Sequence, residues 1–247
     1  MHHPDHSGRS GHSGQPDHPG PQPSGPGRDA DEDGAAPRAA LFDLDGTLIN
    51  SEPRSLATWA KLLDAHNVPY DDERLHTFMG RRGRDVLAEQ PDLFPGVSWD
   101  VLLAELGVYG SAPDLPEVEL LPESVRFVRR LHAEGVPFGL VTSAGRDWAE
   151  LALDRLGVRE LFRDLVTAGD VTVGKPDPEG YLQGAEKLGF APEHVVVFED
   201  APAGVEAGRR AGMRVVGITT THARDTLGSA DLVVDHLTEV DWPRIDA

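Results

Sequence analysis

Beyond residue 38 the chain is punctuated by six short apolar runs, at 39–43, 136–142, 165–167, 195–198, 215–218 and 232–234. Runs of this length without polar alternation predict short strands buried on both faces. Between several of them, apolar residues return at helical spacing. Val125, Val128 and Leu131, with Phe127, mark one helix, and Trp148, Leu151 and Leu156 mark a second. A third is expected over 178–188, and the Ala/Gly-rich stretch 202–211 reads as a fourth, with Pro202 suited to its first turn. Strand alternating with helix predicts an α/β fold with a doubly wound parallel sheet covered on both sides. Such sheets receive ligands at the carboxyl ends of their strands.

One interval breaks the rhythm. Asp43 and Thr142 lie 99 residues apart, whereas a helical crossover needs about a dozen. Within that interval Leu56, Trp59, Ala60 and Leu63 form a helical stripe, and further helices are expected over 84–90 and 98–106. The pattern predicts a small helical domain, 53–117, inserted just after the first strand and able to overhang that strand's carboxyl end as a lid. Residues 38–52 and 118–247 then make the α/β core. Residues 1–37 differ in kind, with seven Pro, seven Gly and five His but no Val, Ile, Leu, Phe, Tyr or Trp. Ordering a backbone costs about 1–2 kcal/mol per residue, and this segment has almost nothing to bury in return. It is expected to be disordered, and its irregularly spaced histidines to be solvated.

Charge and composition narrow the function. The 247 residues include 42 acidic and 23 basic side chains, a formal charge of −19. That balance argues against nucleic acid and anionic membrane surfaces as partners. The absence of cysteine removes disulfide scaffolds, thiolate zinc sites and cysteine nucleophiles. No apolar run approaches the roughly 20 residues that span a bilayer, and none reads as a signal peptide. The expectation is a soluble cytoplasmic protein, a monomer or weak dimer.

Four features at strand ends carry chemistry. The first strand runs into Asp43-Leu44-Asp45-Gly46-Thr47. Two like charges at about 4 Å and an effective dielectric near 20 repel by about 4 kcal/mol, so paired carboxylates there call for a cation or a shared proton. The strand through Val141 ends in Thr142-Ser143-Ala144-Gly145 before a helix opens, where hydroxyls and free N–H groups suit a phosphate-sized anion. Lys175 stands between Gly174 and Pro176, extended and placed to reach a phosphoryl group as a point charge. Val195-Val196-Val197-Phe198 runs into Glu199-Asp200, a second carboxylate cluster that suits Mg²⁺ better than a softer metal. Together they fit phosphoryl transfer, in which a metal and a lysine neutralise charge while a carboxylate attacks.

In this order, the set Asp43-Leu44-Asp45-Gly46-Thr47, Thr142/Ser143, Lys175-Pro176 and Glu199-Asp200 resembles the four motifs of the haloacid dehalogenase-like (HAD) hydrolase superfamily. The helical insert is similar to the capped sugar-phosphatase branch. The resemblance implies a Rossmann-like core and a phosphatase of small sugar or polyol phosphates. Asp43 would be the nucleophile that becomes an aspartyl-phosphate, and Asp45 the general acid and base. Thr142 or Ser143 would hold phosphoryl oxygens, and Lys175 would steady nucleophile and phosphate. Mg²⁺ would be bound by the Asp43 side chain, the Asp45 carbonyl and Asp200, with Glu199 a further ligand or water holder. Asp45 argues against the dehalogenase branch, which lacks the second aspartate. The β-phosphoglucomutase branch is the alternative. Those mutases carry a lysine before a cap glycine and an arginine three residues after it, where this chain has Met79, Gly80 and Gly83. Asn50 also stands where relatives often have aspartate. Arg81, Arg82 and Arg84 offer a cationic edge to draw anionic substrate under the cap, with Arg82 the leading candidate, or else they pair with acids such as Asp85 and Glu89. His222, just past a strand end, could approach the site, although the plainer reading leaves it outside.

Overall fold

The computed structural model describes residues 37–245. The expectation of a disordered tail over 1–37 therefore falls, apart from Pro37, outside the described residues. Strand β1 (Ala39–Phe42) is followed by the short β2 (Ile49–Asn50) and by helices α1 (Glu52–Ala65), α2 (Asp72–His76), α3 (Gly83–Glu89) and α4 (Trp99–Gly110). Then come β3 (Glu119–Leu120), α5 (Pro122–Ala133), β4 (Phe138–Val141), α6 (Arg146–Leu156), β5 (Leu165–Val166) and α7 (Glu179–Leu188). The chain closes with β6 (Val195–Glu199), α8 (Pro202–Arg210), β7 (Arg214–Ile218) and β8 (Leu232–Val234).

Six of these strands form one sheet in the order β5-β4-β1-β6-β7-β8, and every neighbouring pair is parallel. The sheet is doubly wound, as the alternation of strand and helix predicts. Chain order reverses at β1, which lies between β4 and β6, so the carboxyl ends of those three strands converge on the crevice where such sheets bind ligands. Leu41 lies opposite Gly139 on one side and Val197 on the other. That register carries Asp43, Thr142 and Glu199 to one edge.

Alternation along the strands feeds two cores. Ala40 and Phe42 point to the side covered by α5 and α6, with Phe127, Phe138, Val196 and Phe198. Ala39 and Leu41 point to the side covered by α7 and α8, with Tyr181, Val197 and Val205. Both faces are therefore dry, which is why these strands read as unbroken apolar runs. The rings of Phe42 and Phe198 stack at 4.7 Å, and Phe127, Phe138 and Phe162 meet Phe42 edge-on at 5.9–6.1 Å. Phe42 immediately precedes Asp43, and Phe198 immediately precedes Glu199. The aromatic stack is the floor under the carboxylates.

Helix α6 departs from its expected face. Ala149, Ala152, Leu153 and Leu156 are buried, whereas Leu151 is 45% exposed. The buried set is spaced i, i+3, i+4, i+7 as a helix face requires, but two of its members are alanines, and the large side chains drew the sequence reading a third of a turn away. Between β2 and β3, the helices α1–α4 share a third hydrophobic cluster of Trp59, Leu62, Leu63, Leu75, Phe78, Val86, Leu87, Phe94 and Leu102. The short α2 had no apolar stripe to announce it, and only Leu75 on it is buried. Strands β2 and β3 pair antiparallel where this segment leaves and rejoins the core.

The floor yields a first test. Phe42→Ala removes a fully buried ring from contact with four others, and should lower unfolding free energy by about 3–5 kcal/mol in denaturant titration.

Candidate active site

Asp43 leaves the end of β1 with its N–H on the Phe198 carbonyl of β6, at 3.0 Å. Its Oδ1 accepts a hydrogen bond from Lys175 Nζ at 2.6 Å, and the same ammonium reaches Glu199 Oε1 at 2.5 Å and the Val141 carbonyl at 3.1 Å. Lys175, Asp43 and Glu199 are all buried. Burial alone would push Lys175 down, but the Asp43 and Glu199 charges outweigh it and hold the ammonium well above the ordinary lysine range. Burial pushes Asp43 well up, opposed by Lys175 and reinforced by Glu199 and Asp45.

Glu199 is fully engaged. Its Oε1 also accepts from the buried Tyr181 hydroxyl at 2.7 Å, and its Oε2 accepts from the N–H groups of Asp200 at 3.2 Å and Ala201 at 3.3 Å. A Cβ at Gly204 would lie 1.8 Å from Glu199 Oε1, so the first turn of α8 admits only glycine there. Asp200 is held differently. Thr221 donates to its Oδ2, while Oδ1 is buried with no hydrogen-bond partner. Burial, then Glu199 and Asp43, push the Asp200 carboxyl well up. Gly46, at φ +92°, packs directly against this group, since a Cβ there would fall 1.9 Å from Asp200 Oδ2.

One ligand atom from each of Asp43, Glu199 and Asp200 lies within 4.8 Å of the others. Three carboxylates against one ammonium leave a formal excess of two negative charges, equal to one divalent cation. The orphaned Asp200 Oδ1 and the all-oxygen donor set fit a hard cation such as Mg²⁺.

Asp45 occupies a different environment. Its Oδ1 accepts from Ser51 Oγ at 2.5 Å and from Trp148 Nε1 at 3.2 Å; among the described residues Oδ2 receives no hydrogen bond. Burial raises its pKa, opposed by the Ser51 and Trp148 hydrogen bonds. Thr142 Oγ1 accepts from the Ala144 N–H at 3.0 Å, which leaves its own proton to donate, and Ser143 Oγ donates to the Gly80 carbonyl at 3.3 Å. Asp43, Asp45, Thr142 and Ser143 wall one cavity together with Trp59, Met79 and Arg81. His222 reaches the edge of the site, lining a small cavity with Asp45, Gly46 and Asp200.

Arg82 lines a small cavity with Thr142, Ser143 and Lys175, but its donors are committed to the protein itself. It is 8% exposed, and its Nε and Nη2 clasp the Asp85 carboxylate at 2.9 and 2.7 Å. Nη1 donates to the carbonyls of Ala168 and Val171 at 3.2 and 2.8 Å, and Nη2 to that of Thr172 at 2.7 Å. With these bonds made, the fork has no N–H left for a phosphoryl oxygen. It bolts the start of α3 to the 168–174 loop, and Asp85 Oδ2 accepts the Gly174 N–H at 3.0 Å, one residue before Lys175. Arg81 pairs with Glu89 and Arg84 with Asp100, although Arg81 still lines the carboxylate cavity. The sequence reading missed Ser51, Trp148, Tyr181 and Thr221. All are neutral, and none sits in a motif that marks it.

A parallel α/β sheet with a lysine-bridged carboxylate cluster at its switch point defines a site built to manage concentrated negative charge. The haloacid dehalogenase-like hydrolase family model matches residues 37–212, and the chain belongs to that family. It is 47% identical over 208 residues to a validoxylamine A 7′-phosphate phosphatase of Streptomyces hygroscopicus subsp. limoneus, covering 84% of this chain and 98% of that one. It is 37% identical to glycerol-1-phosphate phosphohydrolase 2 of Saccharomyces cerevisiae, covering 76% and 77%. Its fold is similar to the crystal structure of a hydrolase from Pseudomonas syringae, with TM-score 0.71 and 27% identity over 81% of this chain and 94% of that one. No helix among the described residues is long and apolar enough to cross a membrane.

The Arg82 bolt gives a second test. Arg82→Ala leaves Asp85 and three carbonyls without their donor, and should cost about 2–4 kcal/mol of stability. Amide exchange at Gly174 should quicken with it; unchanged exchange across 168–174 would show that the bolt holds nothing.

Proposed function

We propose that the chain is a Mg²⁺-dependent phosphatase of small sugar or polyol phosphates, working through an aspartyl-phosphate on Asp43. The observation that carries this reading is the position of Asp43, wedged against Lys175 beside the orphaned Asp200 oxygen, with Asp45 facing the same cavity. The comparisons support the substrate class, since the similar proteins act on phosphate esters of this kind by name.

In the first step an Asp43 carboxylate oxygen attacks phosphorus, the ester P–O bond breaks, and Asp45 delivers its proton to the departing oxygen. In the second, water attacks the phosphorus of the aspartyl-phosphate. Asp45, now a carboxylate, takes the water's proton, and phosphate leaves with Asp43 restored. Thr142 and the N–H groups that open α6 hold phosphoryl oxygens, and Ser143 joins them when it releases the Gly80 carbonyl. Lys175 balances charge on Asp43 and the phosphoryl group. The Asp43 and Asp200 side chains and the Asp45 carbonyl would hold Mg²⁺, which would supply charge neutralisation and orientation when bound. Glu199, which accepts from Lys175, Tyr181 and two backbone N–H groups, anchors Lys175 beside the metal and is a further ligand or water holder there. The helical segment 53–117 acts as the lid over the 38–52 and 118–247 core, excluding bulk water and admitting small esters. The mutase alternative is disfavoured because Met79 and Gly83 bring no cation to hold a second phosphate.

Phosphate release from p-nitrophenyl phosphate with Mg²⁺ tests the reading. Wild type should turn over and Asp43→Asn should not; an inert wild type across a panel of sugar, polyol and nucleotide phosphates overturns it. Asp45→Asn should slow turnover about 10²–10⁴-fold, the usual worth of a general acid, while sparing Mg²⁺ affinity, since only its carbonyl is a ligand. Because Asp43 and Asp200 hold their protons to higher pH than ordinary carboxyls, acid sets protons against the metal. Mg²⁺ affinity, read by calorimetry, should therefore weaken as pH falls and strengthen as it rises.

A further inference from the structure

Two cavities meet at Asp45. The first, of about 150 Å³, is the one walled by Asp43, Thr142 and Ser143. The second, of about 270 Å³, is walled by Thr58, Gly83 and Trp148, and Asp45, Ser55 and Trp59 belong to both. The first has Asp43 and the Thr142 hydroxyl for the phosphoryl group. Neither Asp43, Lys175 nor Asp200 lines the second, yet the carboxyl proposed to protonate the departing oxygen faces it. A leaving group with its ester oxygen at Asp45 thus has a further volume open to it, larger than the phosphoryl pocket itself.

The lining of that volume is amphipathic. Two indoles, Trp59 and Trp148, are among its lining residues. Ser55 supplies a hydroxyl with no hydrogen bond among the described residues, while Thr58 donates to the Arg54 carbonyl at 2.8 Å. A saturated polyol ring presents C–H groups on its faces and hydroxyls at its edge, and matches such a lining. The walls are already fixed. Arg54 donates to the carbonyls of Gly110 at 2.9 Å and Pro116 at 3.1 Å, pinning α1 to the end of α4 and to the segment that follows it. Trp148 is held by its bond to Asp45. Preformed walls reduce the ordering that binding would otherwise require.

We propose that the second cavity is a subsite for a second ring of the leaving group. The preferred substrates are then phosphate esters of two-ring polyols, linked sugars or linked cyclitols, above glycerol-sized or single-ring esters. This assignment rests on the phosphatase reading and adds the size and shape of the alcohol to it.

The test compares kcat/KM for two groups of esters. One has two rings, joined through oxygen (trehalose 6-phosphate, maltose 6-phosphate) or nitrogen (validoxylamine A 7′-phosphate). The other is glucose 6-phosphate and glycerol 1-phosphate. At least one two-ring ester should exceed both smaller ones by about tenfold or more. Filling the cavity should then erase that preference. A Cβ at Gly83 meets Leu106, Leu103 and Trp59 only at ordinary contact distances of 3.5–3.7 Å, and one at Gly110 meets Thr58 at 3.7 Å. Gly83→Leu and Gly110→Leu offer two independent ways to narrow the space, so a folding failure in one leaves the other. In each folded variant the two-ring to one-ring ratio should drop about tenfold. A wild type that favours the smaller esters, or a ratio unmoved in every folded variant, overturns the subsite and leaves the phosphatase reading standing. Failure to hydrolyse any ester overturns both.

Discussion

One ammonium group determines what the rest of this site can be. Lys175 Nζ lies between Asp43 and Glu199 at 2.6 and 2.5 Å, in a place where any of the three charges alone would be expensive to bury. Because each is compensated by another, the end of β1 and the end of β6 can both finish in a carboxylate without flying apart. The compensation is also incomplete. One positive charge faces three carboxylates once Asp200 is counted, and Asp200 Oδ1 has no partner. Asp43, Glu199 and Asp200 thus form a buried cluster that could hold a metal ion.

What holds the charges in register is apolar. The Phe42–Phe198 stack ties β1 to β6 one residue before their acids begin, and the parallel ladder fixes Phe42 directly beside Phe198. Below the stack the sheet is dry on both faces; above it the backbone turns outward and polar groups take over. Gly46 and Gly204 let the chain approach the acids to within a distance no side chain would permit. The site is the upper edge of the hydrophobic core.

That geometry explains what was legible in the sequence. The strands could be read because burial on two faces leaves unbroken apolar runs, and the acids could be read because each sits where such a run stops. The parallel order then brings together residues as distant as Asp43 and Asp200 without further information. Other features had no such signature. Ser51, Trp148, Tyr181 and Thr221 matter because of where tertiary packing aims one hydrogen atom, and a neutral donor in a loop or helix looks the same whether or not it meets a carboxylate. Arg82 shows the reverse. Its charge made it conspicuous in an acidic chain, but its five N–H groups serve backbone carbonyls and Asp85. Charge in a sequence announces a group that must be paired; it does not say with what.

The two aspartates of the first motif illustrate how neighbours divide roles that sequence alone leaves equal. Asp43 meets a full positive charge, whereas Asp45 meets two neutral dipoles, the Ser51 hydroxyl and the Trp148 indole. In the proposed mechanism, a carboxylate beside this ammonium and a bound cation would be held as an anion, ready to attack. A carboxyl raised by burial and tethered at one oxygen by neutral donors has its other oxygen free, as the proposed general acid and base would need. Since Trp148 also walls the larger cavity, the residue that orients Asp45 touches the space proposed for the leaving group. A bulky alcohol resting on that indole would press on the same side chain that aims the proton. Size selection and protonation would then share one lever.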